Sequence, residues 1–223
     1  MVELYLIRHA EAMGNVNEVF QGTIDEEISP KGLKQLDELK ERFIDIKLDK
    51  IYTSPLIRAV KTARMVNYYH GLDLIRNPDI AEINGGDFEG KKWSDLPNLY
   101  PEQYYNWKHN QEDFQAPNGE TMKDVYNRMV SAMNKIIEEN LNLNCDTTIA
   151  VVSHGCAIRN YQCYLNHSEI SYMPNLKWSD NTAVSKIVFS SLTDWKVEYL
   201  NDSSHLSEEN STLKFSKWCK GEV

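Results

Sequence analysis

The stretch VELYLIRHAEAMGN, residues 2–15, takes a mostly apolar run from Val2 to Ile7 straight into Arg8, His9 and Glu11. An apolar run of this length reads as a strand entering a core. This one ends by delivering a permanent cation and an imidazole side by side. The fold and the chemistry of the chain both turn on where that end points.

Outward from it, strand, short turn and helix recur. SPKGLKQLDELKERF (29–43) opens with Ser29 as N-cap and Pro30 at the first helical position. Leu33, Leu36, Leu39 and Phe43 then form an apolar stripe at helical spacing. LDKIYTSPLIRAVKTARMVNYY (48–69) repeats the plan: a short strand near 49–53, Ser54 as cap, Pro55 inside, and a helix to about Tyr69. Met122, Val125, Met129, Ala132 and Ile136 mark a long helix over 119–140. DTTIAVVSHGCAIRNYQCYL (146–165) gives a strand over 147–153, a turn at His154-Gly155 and another helix. TAVSKIVFSSLTDWKVEYL (182–200) reads as a hairpin turning at 192–194. Strands alternating with helices predict an α/β fold, a three-layer sandwich with a mostly parallel central sheet and helices on both faces. Residues 1–200 form one domain in this reading, with an aromatic-rich insertion at 91–117. Residues 201–223 form a polar, loose tail whose end Phe215 and Trp218 could pin.

A length of 223 residues suits one domain with a sizeable core. The net charge of −9 argues against a general nucleic-acid binder or a ligand of acidic membranes, so an anionic substrate needs a local positive site. There is no apolar run long enough to span a membrane and no basic-then-apolar leader after Met1. The expectation is a cytoplasmic protein. Cys145, Cys156, Cys163 and Cys219 show no CxxC pairing and read as reduced thiols rather than disulfides or zinc ligands.

In open α/β sheets, ligands bind beyond the carboxyl ends of the strands. Arg8-His9 ends one strand, Arg58 falls in the first helical turn after a second, and His154 ends a third, so all three share one rim. The Ser54-Pro55 helix start adds backbone N–H groups and a positive dipole end. Two arginines and two histidines match a doubly charged phosphoryl group, because guanidinium forks pair with its oxygens at any relevant pH. An imidazole can also attack phosphorus and hold the phosphoryl covalently. A proton donor for the leaving oxygen must come from elsewhere. IAEINGGDFEG (80–90) offers Glu82, Asp87 and Glu89. Glu82 stands beside an apolar pair before a Gly-Gly turn, where a carboxyl is partly desolvated and kept protonated, but spacing alone does not choose among the three.

Taken together, these motifs resemble the histidine phosphatase superfamily, with its phosphoglycerate mutase-like fold. Arg8-His9 matches the family's Arg-His signature, Asn15 its following asparagine, and Gln21-Gly22 its Gln-Gly pair. ISPKGLKQL, TSPLIRAVKTA with Arg58, EINGGDFEG with Glu82, PNGETMKDVYNR, VVSHGCAIRN with His154, and NTAV with Asn181 resemble the later blocks in order. The resemblance implies a phosphomonoesterase in which His9 is the nucleophile and becomes phosphohistidine. It implies that Arg8, Arg58 and His154 clamp the phosphoryl, with Asn15, Gln21, Gly22 and Asn181 also on the substrate side. Glu82 protonates the leaving group and then activates water. No metal and no cofactor are implied, and the partner is a small phosphorylated substrate or a phosphoprotein.

Two positions depart from the family pattern. Ala10 replaces the usual glycine, so that residue needs an ordinary φ. Ile83-Asn84-Gly85-Gly86 replaces the acidic-basic-tyrosine block of the cofactor-dependent mutases, which favours hydrolase over phosphoglycerate mutase. A non-catalytic phospho-ligand binder is the rival of another class, and the intact set Arg8, His9, Arg58, Glu82 and His154 speaks against it. Trp93, Tyr100, Tyr104, Tyr105, Trp107 and Phe114 crowd the insertion, either as a cap shaping the pocket above His9 or as packing onto the domain. His109 there reads as exposed, and His70, His167 and His205 take no role.

Overall fold

The computed structural model describes residues 1–143 and 145–214. Its centre is the pair β1 (Val2–Arg8) and β4 (Thr147–Ser153), parallel and in register from Val2 opposite Thr147 to Arg8 opposite Ser153. With β2 (Lys50–Thr53), β3 (Leu74–Arg76), β5 (Val184–Ser191) and β6 (Asp194–Asp202) they make one sheet in the order β3-β2-β4-β1-β5-β6. The first four strands are mutually parallel, β5 runs antiparallel to β1, and β6 turns back antiparallel to β5. The hairpin joining β5 to β6 turns at Leu192-Thr193, as the sequence predicts.

Why this sheet is covered on both sides follows from the alternation along its strands. Leu4, Leu6, Ile149 and Val151 face one way and pack with Val125, Met129, Met133 and Ile136 of a helix over Met122–Leu141 and with Ala157, Ile158 and Tyr161 of one over Gly155–Leu165. Tyr5, Ile7, Ala150 and Val152 face the other way, against Leu39 and Phe43 of the Pro30–Arg42 segment and Ala59, Ala63 and Val66 of Ile57–Val66. Numbered along the chain, the helices are α1 (Met13–Val16), α2 (Pro30–Arg42), α3 (Ile57–Val66), α4 (Leu96–Leu99), α5 (Pro101–His109), α6 (Met122–Leu141) and α7 (Gly155–Leu165). The architecture is the three-layer α/β sandwich expected. Leu6 is 1% exposed, so Leu6→Ala opens a cavity at the central pair and costs about 2–5 kcal/mol.

Helix starts follow local chemistry. Ser29 Oγ accepts from Gly32 N at 2.9 Å with Pro30 behind it, and Thr121 and Asp124 exchange bonds in a capping box that opens α6.

Three local expectations need correction. Leu33 is 55% exposed, and the buried residue two positions on, on the opposite side of the helix, is the polar Gln35, which accepts from Glu11 N and donates to Asn210 O. The helix after β2 begins at Ile57 with Leu56 as its N-cap and stops at Val66, short of Tyr69. Ser54 Oγ lies 2.8 Å from His154 Nε2 and also accepts from Leu56 N at 3.3 Å, so it supports the turn that precedes the helix rather than the N-cap position itself. Finally, residues 203–214 fold back onto the domain. Ser211 Oγ donates to Asp180 Oδ2 at 2.6 Å, and Thr212 N donates to Asp180 Oδ1 at 2.8 Å. Phe215, Trp218 and Cys219 lie outside the described residues.

Candidate active site

The carboxyl ends of β1 and β4 are adjacent, and this brings His9 and His154 together with ring centroids 5.0 Å apart. His9 is fixed through its backbone: its N–H donates to Ser153 O at 3.0 Å, and Asn181 Nδ2 donates to its carbonyl at 2.9 Å. The ring is fixed by Nδ1, which lies 2.7 Å from Ala10 O. A carbonyl only accepts, so Nδ1 carries the proton and Nε2 carries the lone pair. Ala10 takes an ordinary φ and donates its N–H to Thr62 Oγ1 at 3.0 Å, so its methyl does not disturb the loop.

Burial, then Arg58, then Arg8 hold the His9 imidazole well below its usual pKa. It is therefore a neutral imidazole at physiological pH, with an unprotonated Nε2. His154 is also pushed well below the ordinary range, by burial first and then by Arg58 and His9. Its Nδ1 is buried without a hydrogen-bond partner.

Arg58 is 1% exposed. Its Nη1 donates to Ile24 O and its Nη2 to Gly22 O, both at 2.7 Å, while Nε is buried without a partner. Gly22 sits at φ +52°, and a Cβ there would come within 2.2 Å of Glu89 Oε1, so glycine presents this carbonyl to Arg58 without strain and without displacing Glu89. Arg8 Nη1 donates to Ser179 O at 2.5 Å, and its guanidinium lies along Gly155, where a Cβ would stand 3.3 Å from Nε.

Glu82 reaches the start of α7. Its Oε2 accepts from Cys156 N at 3.1 Å, and its Oε1 accepts from Ala157 N at 3.1 Å and from Ile83 N at 3.0 Å. The apolar surroundings expected for this carboxyl are replaced by backbone donors at the positive end of a helix. Asp87 bonds Asn118, and Glu89 bonds Thr23 and Gly85. Of the three acids, Glu82 is the one that lines the cavity.

That cavity is lined by Arg8, His9, Asn15, Gln21, Gly22, Arg58 and Glu82, which brings the expected set together. Asn15 Oδ1 already accepts from Ala12 N, so its amide N–H groups are what it can offer a ligand. Two residues of the set differ from expectation. Asn181 is fully buried, is not among the cavity-lining residues, and gives its amide N–H to the His9 carbonyl. His154 is also fully buried and stands behind the His9 ring rather than on the cavity wall. The α3 start differs too: Asp25 Oδ1 accepts from Ile57 N at 2.5 Å, so a carboxylate already occupies the helix end expected to assist the anion.

Sequence reasoning missed several wall residues. Phe20 and Glu18 lie between recognised motif positions, and Trp178 precedes the Asn181 block by three residues. It also missed Arg128. This α6 side chain donates to Asp79 O, Ala81 O and Glu82 O at 2.7–3.0 Å and pairs with Glu120, so it suspends the loop that carries Glu82. Within the insertion, Trp93 and Trp107 line the cavity, Phe114 is fully buried packing, and Tyr105 is exposed. No described helix is long and apolar enough to cross a membrane.

Known proteins place this arrangement. The profile of the histidine phosphatase superfamily (branch 1) matches residues 4–203. Phosphoserine phosphatase 1 of Hydrogenobacter thermophilus is 31% identical over 93% of this chain and 96% of its own. Phosphoglycerate mutase-like protein 4 of Arabidopsis thaliana is 28% identical over 92% of this chain and 87% of its own. Among solved structures, YhfR of Bacillus stearothermophilus superposes with a TM-score of 0.86 at 25% identity, covering 92% of this chain and 99% of that one. With an Arg-His pair ending β1, a second histidine beside it and a family match running nearly end to end, the chain belongs to the histidine phosphatase superfamily, branch 1, and is a phosphatase.

Proposed function

We propose that the chain hydrolyses small phosphate monoesters with His9 as nucleophile, Arg8 and Arg58 as the phosphoryl clamp and Glu82 as proton donor. The observation that carries this reading is the His9 ring itself. Its Nδ1 is anchored on Ala10 O, its Nε2 holds a lone pair, and two arginines flank it at the cavity. In the first step Nε2 forms a bond to phosphorus, the ester P–O bond breaks, and Glu82 gives its proton to the departing oxygen. The resulting phosphoimidazolium keeps its Nδ1–H on Ala10 O. In the second step Glu82, now a carboxylate, takes a proton from water as the water attacks phosphorus. The P–Nε2 bond breaks in the same step, inorganic phosphate is released, and neutral His9 and protonated Glu82 are restored.

Phosphate monoesters are so inert that a barrier reduction above roughly 20 kcal/mol is required. Positioning supplies about 7–11 kcal/mol. Each donor aimed at developing charge adds about 3–4 kcal/mol, so two guanidiniums are a requirement of the chemistry. These cations fill the place a metal would take, and the proposed reaction needs neither metal nor cofactor. Hydrolysis is favoured over mutase transfer because, among the described residues, Arg8 and Arg58 are the only Arg or Lys side chains on the cavity wall, which leaves no further base for a substrate carboxylate. The thiols of Cys145, Cys156 and Cys163 are free, which suits the proposed cytoplasmic location.

The test is a quench of enzyme during turnover of p-nitrophenyl phosphate, with EDTA present. An acid-labile, base-stable phosphoryl label on His9, lost together with turnover in His9→Ala, is the expected result. Full activity in His9→Ala would end the proposal, and loss of activity in EDTA would end its metal-free form.

A further inference from the structure

The cavity that holds Arg8, His9 and Arg58 is lined by further groups with their own chemistry, the carboxylate of Glu18 and the rings of Phe20, Trp93, Trp107 and Trp178. The aromatic rings are mutually braced, with Phe20 5.0 Å from Trp93 and 5.2 Å from Trp107, and Trp93 5.5 Å from Trp107. The Glu18 carboxylate has no hydrogen bond or ion pair among the described residues, while its backbone carbonyl accepts from Trp93 N at 2.9 Å. Glu18 therefore holds its place relative to the indole wall while its charge stays available.

Its backbone is the second observation. Glu18 sits at φ 54°, the left-handed region, where glycine or asparagine is at ease and a glutamate is strained. A turn that needed only this backbone would be served better by glycine. The chain instead places a negative side chain there, on the wall of the cavity that also holds Arg8 and Arg58.

A carboxylate would repel a substrate whose alcohol part carries a second negative charge. Aromatic faces and a carboxylate together attract an ammonium group, through the ring quadrupole and through simple charge pairing. We infer that the preferred substrates are phosphate monoesters of amino alcohols, with the ammonium group held between Glu18 and the Phe20-Trp107 wall while Arg8 and Arg58 hold the phosphoryl. This inference rests on the phosphatase reading above and adds the identity of the leaving alcohol.

The test compares kcat/KM of the full chain on phosphocholine, on neohexyl phosphate (its neutral isostere) and on phosphoglycerate. Wild type is expected to prefer phosphocholine over the neutral isostere by about tenfold or more, the size of one such cation contact, with phosphoglycerate below both. In Glu18→Gly the preference is expected to collapse toward one while the thermal midpoint rises, because glycine relieves the strained φ. A residue kept only for its turn would leave the preference untouched. Trp107→Leu should lower the same ratio without a change of charge. A wild-type ratio near one, or a ratio unchanged in Glu18→Gly, overturns the inference, and turnover of the neutral isostere then shows the phosphatase reading still standing. Failure of wild type to hydrolyse both the isostere and p-nitrophenyl phosphate would overturn the phosphatase reading itself.

Discussion

Replacing Glu82 by Gln tests the proton donor with little change of shape, and the structure sets what to expect. Two carboxylate oxygens accept three backbone N–H groups: Ile83 and Ala157 on Oε1, and Cys156 on Oε2. A glutamine has one acceptor oxygen. Its best placement keeps that oxygen on Ile83 and Ala157 and sets an NH2 against the Cys156 N–H, donor against donor. Leaving that donor unmade costs about 1–3 kcal/mol, which should lower the unfolding free energy by a similar amount. The catalytic loss depends on the substrate. A positioned general acid contributes about 10²–10⁴-fold, or roughly 3–5 kcal/mol of barrier. An alkyl alkoxide needs that proton to leave, whereas a nitrophenolate leaves as a stabilised anion. Glu82→Gln should therefore lower kcat/KM for an alkyl phosphate by the full factor and kcat/KM for p-nitrophenyl phosphate by about tenfold or less. Hydrolysis of the intermediate uses Glu82 as base, so kcat should fall for both substrates, with the phosphoenzyme accumulating. Stopped-flow release of nitrophenol would show this as a burst. Equal losses of kcat/KM on the two substrates, with no burst, would refute the assignment of Glu82 as donor.

Arg128→Leu should behave as a weaker Glu82 variant, because it frees the loop carbonyls at Asp79, Ala81 and Glu82. A loss of about 10–100-fold in kcat/KM, concentrated on alkyl phosphates and partly rescued by Arg128→Lys, marks a positioning role, whereas equal losses on both leaving groups would mark a structural one. Substitution of Trp107 should reorder kcat/KM across a panel of monoesters, and an unchanged order would reduce residues 91–117 to packing. Acid stability follows from three buried histidines. His9 and His154 are held neutral well below 6.5 in the fold, and His205, buried and beside the Arg42 cation, is lowered to about 4. The unfolded chain protonates all three near 6.5, so stability is complete above that pH and falls as pH drops toward the folded values. His205 alone removes about 2 kcal/mol between pH 6.5 and 5. Urea midpoints that stay level over that interval would contradict the buried-neutral reading.

The layers of the fold were legible because both faces of β1 and β4 carry apolar side chains and the helices announce themselves with Ser29-Pro30 and with the apolar stripe from Met122 to Ile136. The catalytic pair was legible because strand ends in such sheets converge. What stayed hidden depended on partners distant in sequence. Ser54 reads as an N-cap, yet its hydroxyl serves the turn at Leu56 and meets His154, a hundred residues later, while the helix starts at Ile57. Asp25 caps α3 across 32 positions. Leu33 fits the helical stripe, yet α2 turns that position to solvent and gives its buried side to Gln35, whose partners are Glu11 and Asn210. Asn181 falls in a recognised block, and only the packing of the β5 approach against β1 shows that it serves the His9 carbonyl. No local pattern encodes such pairings.

The way Arg58 is held explains how an acidic protein keeps an anion site open. Its two donors meet carbonyls of Ile24 and Gly22, and the nearest carboxylates, Glu82, Asp25, Glu26 and Glu89, act on it only through space. Carbonyl dipoles fix the guanidinium's direction without cancelling its charge, as a carboxylate in contact would. Keeping a buried cation so lightly compensated costs folding free energy, and burial accordingly pushes the Arg58 pKa down. The charge stays on the guanidinium nevertheless, because its ordinary value lies far above physiological pH. A phosphoryl dianion entering beside His9 supplies the missing countercharge, so binding recovers part of what folding gave up. After burial, the same positive charge is the next cause that keeps His9 deprotonated. In the proposed mechanism one buried arginine thus attracts the substrate, orients its oxygens and helps to hold the imidazole in its reactive form. Arg58→Met should therefore weaken phosphate binding and also move the acid limb of kcat/KM upward in pH, and a variant showing the first effect without the second would separate the two roles.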